Sequence, residues 1–241
     1  WQFQKCIEGL AAACRALETP VISGNVSFYN ENPKGAVDPT PMVGMVGLIE
    51  DAAKYVTQDF KKEGDVIVLL GSPSGSLAGS EYLRLVHRLK KGNPAIDIEF
   101  EKKVQAACLE AIQAGLVKSA HDPSEGGLAV CVAESCISNK KQMRGARIDV
   151  DALARKSERL DEILFGEAPS RIVVTVESKD LARLVKIATK HSVPCFKLGT
   201  VEGDHLVVKN KGANAIDLSL QVLSDTWRGS IPAKAGMPAG D

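Results

Sequence analysis

Short aliphatic runs alternate with segments of helical periodicity over most of this chain, from residue 66 to residue 208. Strands are predicted at 66–70, 117–120, 147–150, 171–176, 195–198 and 206–208. Helices are predicted at 80–89, 97–114, 126–138 and 180–191, with a shorter one ending near 164. A turn at 202–204 predicts a hairpin between the last two strands. Strands that alternate with helices predict an α+β fold, an α/β sandwich in which helices cover a sheet.

The first sixty residues have a different pattern. Apolar residues at 3, 7, 10, 14 and 17 follow a period of 3.6, which predicts an amphipathic helix over 1–17. A short strand at 21–22 and a polar loop over 23–40 follow. The apolar run 42–49 contains Gly44 and Gly47 and predicts a buried strand.

A turn at 63–65 marks the predicted domain boundary. It gives a first domain over 1–60, a second over 61–232 and a flexible tail over 233–241, with Trp227 packing a terminal turn. Because the chain starts at Trp1 inside an amphipathic segment, we expect that it is part of a longer protein.

Charge and cysteine usage exclude several classes of protein. The 30 basic residues balance the 30 acidic ones, so no global field would attract nucleic acid or an anionic membrane. No apolar run reaches about 18 residues, and no signal segment is evident. None of the six cysteines has zinc-like spacing; Cys6, Cys14 and Cys108 lie on apolar stripes of predicted helices. We therefore expect buried, reduced thiols in a cytoplasmic protein.

The segment from Ser23 to Glu31 has residues suited to nucleotide chemistry. Gly24 would let the backbone approach a phosphate, and Asn25 offers a neutral oxygen that suits Mg²⁺. The Ser27 hydroxyl could bond a substrate. The alternative is an ordinary turn after a strand, in which Asn25 and Ser27 bond their own backbone.

A second candidate segment, residues 119–129, reads as a strand end, a turn and a helix start. Exposed N–H groups of Gly126 and Gly127 would suit a phosphate. The alternative is a helix that Ser124 caps, and these two interpretations stay open. His121 is not expected to act as a general base, because the sequence offers no partner that would orient it.

The Gly/Ser-rich loop at 71–76 lacks the Gly-Lys-Ser/Thr of a phosphate loop, so we interpret it as a strand–helix connection. Ser80 is predicted to cap the helix that follows.

Four strings carry a specific family resemblance: SGNVSFYNE with PTPMVGMVGLIED after it, GSEY at 79–82, SAHDPSEGGLA at 119–129, and LFGE with Ser170-Arg171. On the basis of these strings, the chain resembles the synthetase subunit of phosphoribosylformylglycinamidine synthase, in its small bacterial type. The resemblance extends to about residue 232. The resemblance implies that 1–60 is the tail of a second ATP-binding-type domain. It also implies that 61–232 is an aminoimidazole-ribonucleotide-synthetase-like C-terminal domain.

The resemblance also implies a function. Gly24 would contact ATP, Asn25 would ligate Mg²⁺, and Ser27 would contact formylglycinamide ribonucleotide; no catalytic residue of the family falls within this chain. The implied enzyme is an ATP-dependent ligase of purine biosynthesis, supplied with ammonia by a glutaminase subunit and assembled with a small accessory subunit. The alternative is a noncatalytic nucleotide-binding or subunit-docking scaffold.

The resemblance also bears on Glu167 and Arg171. The family's full subunit has two homologous halves, and in the first half the corresponding segment contacts substrate. In this chain Ala168-Pro169 stand where polar residues would be needed. A carboxylate placed in a cleft is one interpretation of Glu167, and a structural role for both residues is the favoured one.

Overall fold

The computed structural model describes residues 1–25, 31–33, 35–38, 40–154 and 159–236. The chain divides into two compact units, Trp1–Ala53 and Lys54–Asp241, and each is described by itself. Phe60, at the end of the predicted first domain, is buried in the core of the second unit.

The described residues of the first unit form one helix and four short strands. They are α1 (Gln2–Ala16), β1 (Ser23–Asn25), β2 (Glu31–Asn32), β3 (Gly35–Ala36) and β4 (Met42–Gly44). Helix α1 confirms the prediction for 1–17. The positive charge of Arg15 in its last turn interacts favourably with the negative end of the helix dipole. β1 pairs with β4 and β2 pairs with β3, both antiparallel.

Two strand predictions in this unit are wrong. The predicted strand at 21–22 begins one residue later, at Ser23, because the ladder with β4 spans Ser23–Asn25. The predicted buried strand at 42–49 is a strand only at Met42–Gly44, and it is exposed, with Leu48 at 83% exposure. An apolar run is buried where a second layer covers it, and no described residue of the first unit covers this one.

The second unit is built on one seven-stranded mixed sheet. The strands are β5 (Val66–Gly71), β6 (Val117–His121), β7 (Ala146–Asp149), β8 (Arg171–Val176), β9 (Cys195–Val201), β10 (His205–Asn210) and β11 (Ala213–Ser219). Their order across the sheet is β11-β10-β7-β9-β5-β8-β6. All pairs are antiparallel except β7 with β10.

Helices cover both faces of this sheet. They are α2 (Glu81–Val86), α3 (Ile98–Gln113), α4 (Gly127–Ile137), α5 (Leu160–Phe165), α6 (Leu181–Lys190) and α7 (Leu220–Lys234). Helices α3 and α6 pack on one face, and α4, α5 and α7 pack on the other. The interior strand β5 alternates between the two cores: Val66, Val68 and Leu70 face one, and Ile67 and Leu69 face the other. This arrangement confirms the predicted α/β sandwich.

The predicted hairpin at 202–204 is wrong. Strands β9 and β10 flank that turn, but β7 lies between them and pairs with both. The tight hairpin is instead β10–β11, which turns at Lys211 and Gly212, both with positive φ. Strand β11 was not predicted, and Trp227 lies inside α7 instead of packing a terminal turn.

Several local predictions are confirmed. Ser80 caps α2, because its hydroxyl accepts the Leu83 N–H at 3.2 Å. All six cysteines are free; Cys108, Cys131 and Cys136 are buried, whereas Cys6, Cys14 and Cys195 are only half-buried, so the expected burial of the thiols is confirmed for three of them. Within the described residues, no helix combines the length and hydrophobicity needed to cross a lipid bilayer.

Candidate functional site

Gly24 and Asn25 lie in a strand, not in the loop that the sequence predicted. Gly24 is opposite Val43 and Asn25 is opposite Met42 in the β1–β4 ladder. Both residues are exposed. The ladder therefore fixes their backbone while their surface remains open to solvent.

Glycine is required at position 24 for a local reason. A Cβ built there would lie 2.8 Å from the carbonyl oxygen of Met42, closer than side-chain carbons approach a backbone oxygen. The same lack of a side chain leaves the backbone accessible to a ligand from the exposed side.

Asn25 ends the strand at the start of the segment that the resemblance assigns to ligand binding. Its backbone pairs with Met42, and the residue is exposed to solvent. Ser27, the predicted substrate contact, lies outside the described residues. An amide oxygen is a hard ligand of the kind Mg²⁺ accepts, so Asn25 fits one position of a metal site.

A complete metal site is not found among the described residues. No group of three or more His, Cys, Asp or Glu side chains there could hold a metal ion. One amide oxygen does not bind Mg²⁺ alone, since the ion takes several oxygen ligands. Any site that includes Asn25 must draw its other ligands from elsewhere.

A second cluster of polar groups lies at one end of the large sheet. Strands β5 and β6 end there and β8 begins there, so the loops 71–80, 121–127 and 165–171 meet. The Tyr82 ring stacks on the Phe165 ring, with centroids 5.1 Å apart. Three of the four strings that carry the family resemblance therefore converge at this end, which we call the loop junction.

Gly126 begins α4 with φ +83°, a conformation that favours glycine. Its N–H donates to Glu167 Oε1 at 2.8 Å, and the N–H of Gly127 donates to the Ser124 carbonyl at 3.0 Å. The predicted Ser124 cap is wrong: the Ser124 hydroxyl instead donates to Asp122 Oδ2 at 2.6 Å. A phosphate at Gly126 would have to displace the Glu167 carboxylate.

His121 has the orienting partner that the sequence did not reveal. Its Nε2 lies 2.9 Å from Glu134 Oε2 on α4, and its Nδ1 lies 3.7 Å from Asp122 Oδ1. The Ser124 hydroxyl lowers the pKa of Asp122, so this carboxylate is charged at neutral pH. The residue spacing could not show the Glu134 contact, because that contact depends on how α4 packs against β6.

Arg171 is buried beneath the loop junction. Its Nε donates to the Ser72 carbonyl at 3.2 Å and its Nη1 to the Gly166 carbonyl at 3.0 Å. Burial lowers the pKa of this guanidinium to about 10, so it stays charged at neutral pH. These contacts support the structural role that the sequence favoured for Arg171.

Comparison with known proteins places this architecture in a family. The model for the C-terminal domain of AIR synthase related proteins matches residues 62–210, and the model for their N-terminal domain matches residues 1–49. The first match alone covers more than half of the chain, so the chain belongs to the AIR synthase related protein family.

Within that family, the curated relatives that resemble this chain include subunits of phosphoribosylformylglycinamidine synthase. The phosphoribosylformylglycinamidine synthase subunit PurL of Thermoanaerobacter sp. (strain X514) is 47% identical over 232 residues, which cover 96% of this chain and 31% of the relative. The resemblance drawn from the four strings is thereby confirmed. The chain spans about a third of the length of the curated relatives it matches.

Solved structures show the same fold at lower identity. Thermotoga maritima PurL complexed with FGAR is similar with a TM-score of 0.70 and 24% identity, covering 90% of this chain and 36% of that one. PurL of that organism complexed with ATP gives 0.67 and 23%, and PurLQS gives 0.69 and 23%; each covers 90% of this chain and 35% of the other.

Proposed function

We propose that this chain is part of an ATP-dependent ligase that converts formylglycinamide ribonucleotide to formylglycinamidine ribonucleotide in purine biosynthesis. The observation that carries the proposal is the 47% identity to a PurL subunit across 96% of this chain. The exposed strand end at Gly24 and Asn25, where a ligand could reach the backbone, is a second observation that supports the proposal.

In the proposed reaction, ATP gives its terminal phosphoryl group to the carbonyl oxygen of the glycinamide group and leaves as ADP, while the formyl group is unchanged. Ammonia then forms the new C–N bond as phosphate leaves with that oxygen. The contribution of this chain is binding. The backbone at Gly24 would contact ATP, the Asn25 amide oxygen would ligate Mg²⁺, and Ser27 would contact the ribonucleotide. Mg²⁺ bound there reduces the negative charge on the phosphates.

The remaining groups of the reaction come from outside the described residues. The described residues contain no group of three or more His, Cys, Asp or Glu side chains that could hold a metal ion, and the resemblance places none of the family's catalytic residues in this chain. We therefore propose that the chain is inactive by itself. Its proposed partners are a glutaminase subunit that supplies ammonia and a small accessory subunit, in the cytoplasm.

The experiment is a chimera in which this chain replaces the 232 matching residues of the Thermoanaerobacter subunit. With ATP, Mg²⁺, ammonium and formylglycinamide ribonucleotide, the chimera should form ADP in a ribonucleotide-dependent way, and the 241-residue chain alone should not. A chimera that folds and assembles with its partner subunits but forms no ADP would favour the alternative, a noncatalytic scaffold.

A further inference from the structure

One carboxylate oxygen joins the starts of two helices at the loop junction. Glu167 Oε1 accepts the N–H of Gly126, at the start of α4, at 2.8 Å. The same atom accepts the N–H of Glu81, the first residue of α2, at 2.9 Å. The first N–H groups of a helix lack partners within the helix and carry its positive partial charge, so a carboxylate there satisfies both needs.

The backbone of Glu167 holds the third loop of the junction. Its N–H donates to the Ser76 carbonyl at 2.8 Å, and the Ser76 N–H donates to the Glu167 carbonyl at 3.3 Å. This pairing is possible because Gly75 and Gly166 lie in direct backbone contact: a Cβ on Gly75 would stand 2.1 Å from the Gly166 oxygen. The main chain of Glu167 is thus held against the loop 71–80, while its carboxylate is held by the two N–H groups that it accepts.

We propose that Glu167 is an internal anion that closes the helix N-terminus at Gly126 and locks the three loops of the junction into one unit. The carboxylate occupies the position where a ligand phosphate would accept the Gly126 N–H. Asp122 and Glu125 line the adjacent pocket of about 370 Å³ and add negative charge, which further disfavours a bound anion. This inference concerns the fold and does not rest on the proposed reaction.

The test is hydrogen exchange of individual backbone amides in the 241-residue chain. In Glu167→Ala, the amides of Gly126 and Glu81 should both exchange at least about tenfold faster, because each loses a hydrogen bond to a charged acceptor. These amides are 45 residues apart in sequence, so a joint change identifies the shared acceptor. Glu125→Ala is the matched control: it removes the same charge from the same pocket, and no described residue bonds its carboxylate.

Glu167→Gln keeps an acceptor oxygen and removes only the charge. This milder variant can therefore replace Glu167→Ala in the exchange experiment if the Ala variant fails to fold. Both amides should then exchange faster together, by about threefold, because a neutral acceptor forms a weaker bond. Acceleration at one amide alone, or an equal effect in Glu125→Ala, would overturn the shared role of Glu167.

Adding inorganic phosphate distinguishes a helix N-terminus that Glu167 already occupies from one that is open to an anionic ligand. In the wild-type chain, millimolar phosphate should leave exchange at Gly126 unchanged, because Glu167 already fills the position. Slower exchange at Gly126 in the presence of phosphate would show an open anion site and would contradict the proposal.

Discussion

Arg171 donates from Nη1 to the carbonyl oxygen of Gly166 at 3.0 Å, inside the core of the second unit, where the side chain is 2% exposed. Its Nε bonds the Ser72 carbonyl, so one guanidinium joins two loops. A planar fork of donors can serve two carbonyls at fixed angles, whereas an ammonium on a flexible stem cannot do so equally well.

Replacement of Arg171 by Ala should therefore destabilise the chain by about 2–5 kcal/mol, because two loop carbonyls lose their donor and a cavity forms. Arg171→Lys should cost about 1–3 kcal/mol, since it loses at least one of the two hydrogen bonds. Urea unfolding measures both changes.

Arg147→Ala is the control for this pair of variants. Arg147 pairs with Glu202 at 2.7 Å, but both side chains are about half exposed, so its loss should cost less than about 1 kcal/mol. Equal costs at positions 147 and 171 would contradict the account of the loop junction.

Acid sensitivity should depend on Glu177. Hydrogen bonds from Lys179 and Lys118 lower the pKa of this carboxyl to about 2, against 4.5 for an unperturbed glutamate. The folded-state pKa is below the unfolded one, so the stabilisation is present above pH 4.5 and is lost as the pH falls towards 2. Glu177→Gln should therefore flatten the decline in unfolding free energy over that interval. Denaturation curves that keep the wild-type slope would show that the ion pairs add nothing.

Thiol reactivity should follow burial. Burial raises the pKa values of Cys108 and Cys195 to about 11, and Cys131 and Cys136 are shifted upwards as well, so these thiols form little reactive thiolate. Iodoacetamide should label Cys14, on α1, faster than any of these four in the native chain. Peptide mass spectrometry gives the rates, and all six cysteines should react in denaturant. Native labelling of Cys108 at the rate of Cys14 would mean that the core opens readily.

Elements set by local pattern could be predicted from the sequence. Helix α1 follows the 3.6-residue period of its apolar residues, and the Ser80 cap follows from a preference of a single residue type. Strand β5 was found because a run of aliphatic residues this short fits a strand buried on both faces.

Relations between distant segments could not be predicted. The insertion of β7 between β9 and β10 depends on the packing of the whole sheet, and no turn signal encodes it. The Glu167 contacts span 41 and 86 residues of sequence. The run at 42–49 has the composition of a buried strand, but composition does not specify whether a covering layer is present.

The proposed metal ligand provides the most direct test of the functional account. In the chimera, Asn25→Leu should lower kcat and raise the Mg²⁺ requirement, because one oxygen ligand at the phosphates is lost. Removal of one charge-stabilising contact typically raises a barrier by about 2–4 kcal/mol. Asn25→Asp is the matched control: it supplies a carboxylate oxygen that Mg²⁺ accepts, so activity at saturating Mg²⁺ should largely return.

The decisive measurement is the rate of ADP formation as the Mg²⁺ concentration is lowered. It compares the chimera that keeps Asn25 with its Asn25→Leu and Asn25→Asp variants. The account predicts a large loss for Asn25→Leu that grows at limiting Mg²⁺, and recovery for Asn25→Asp. Wild-type turnover by Asn25→Leu at limiting Mg²⁺ would contradict the account, and Asn25 would then be an ordinary residue at a strand end.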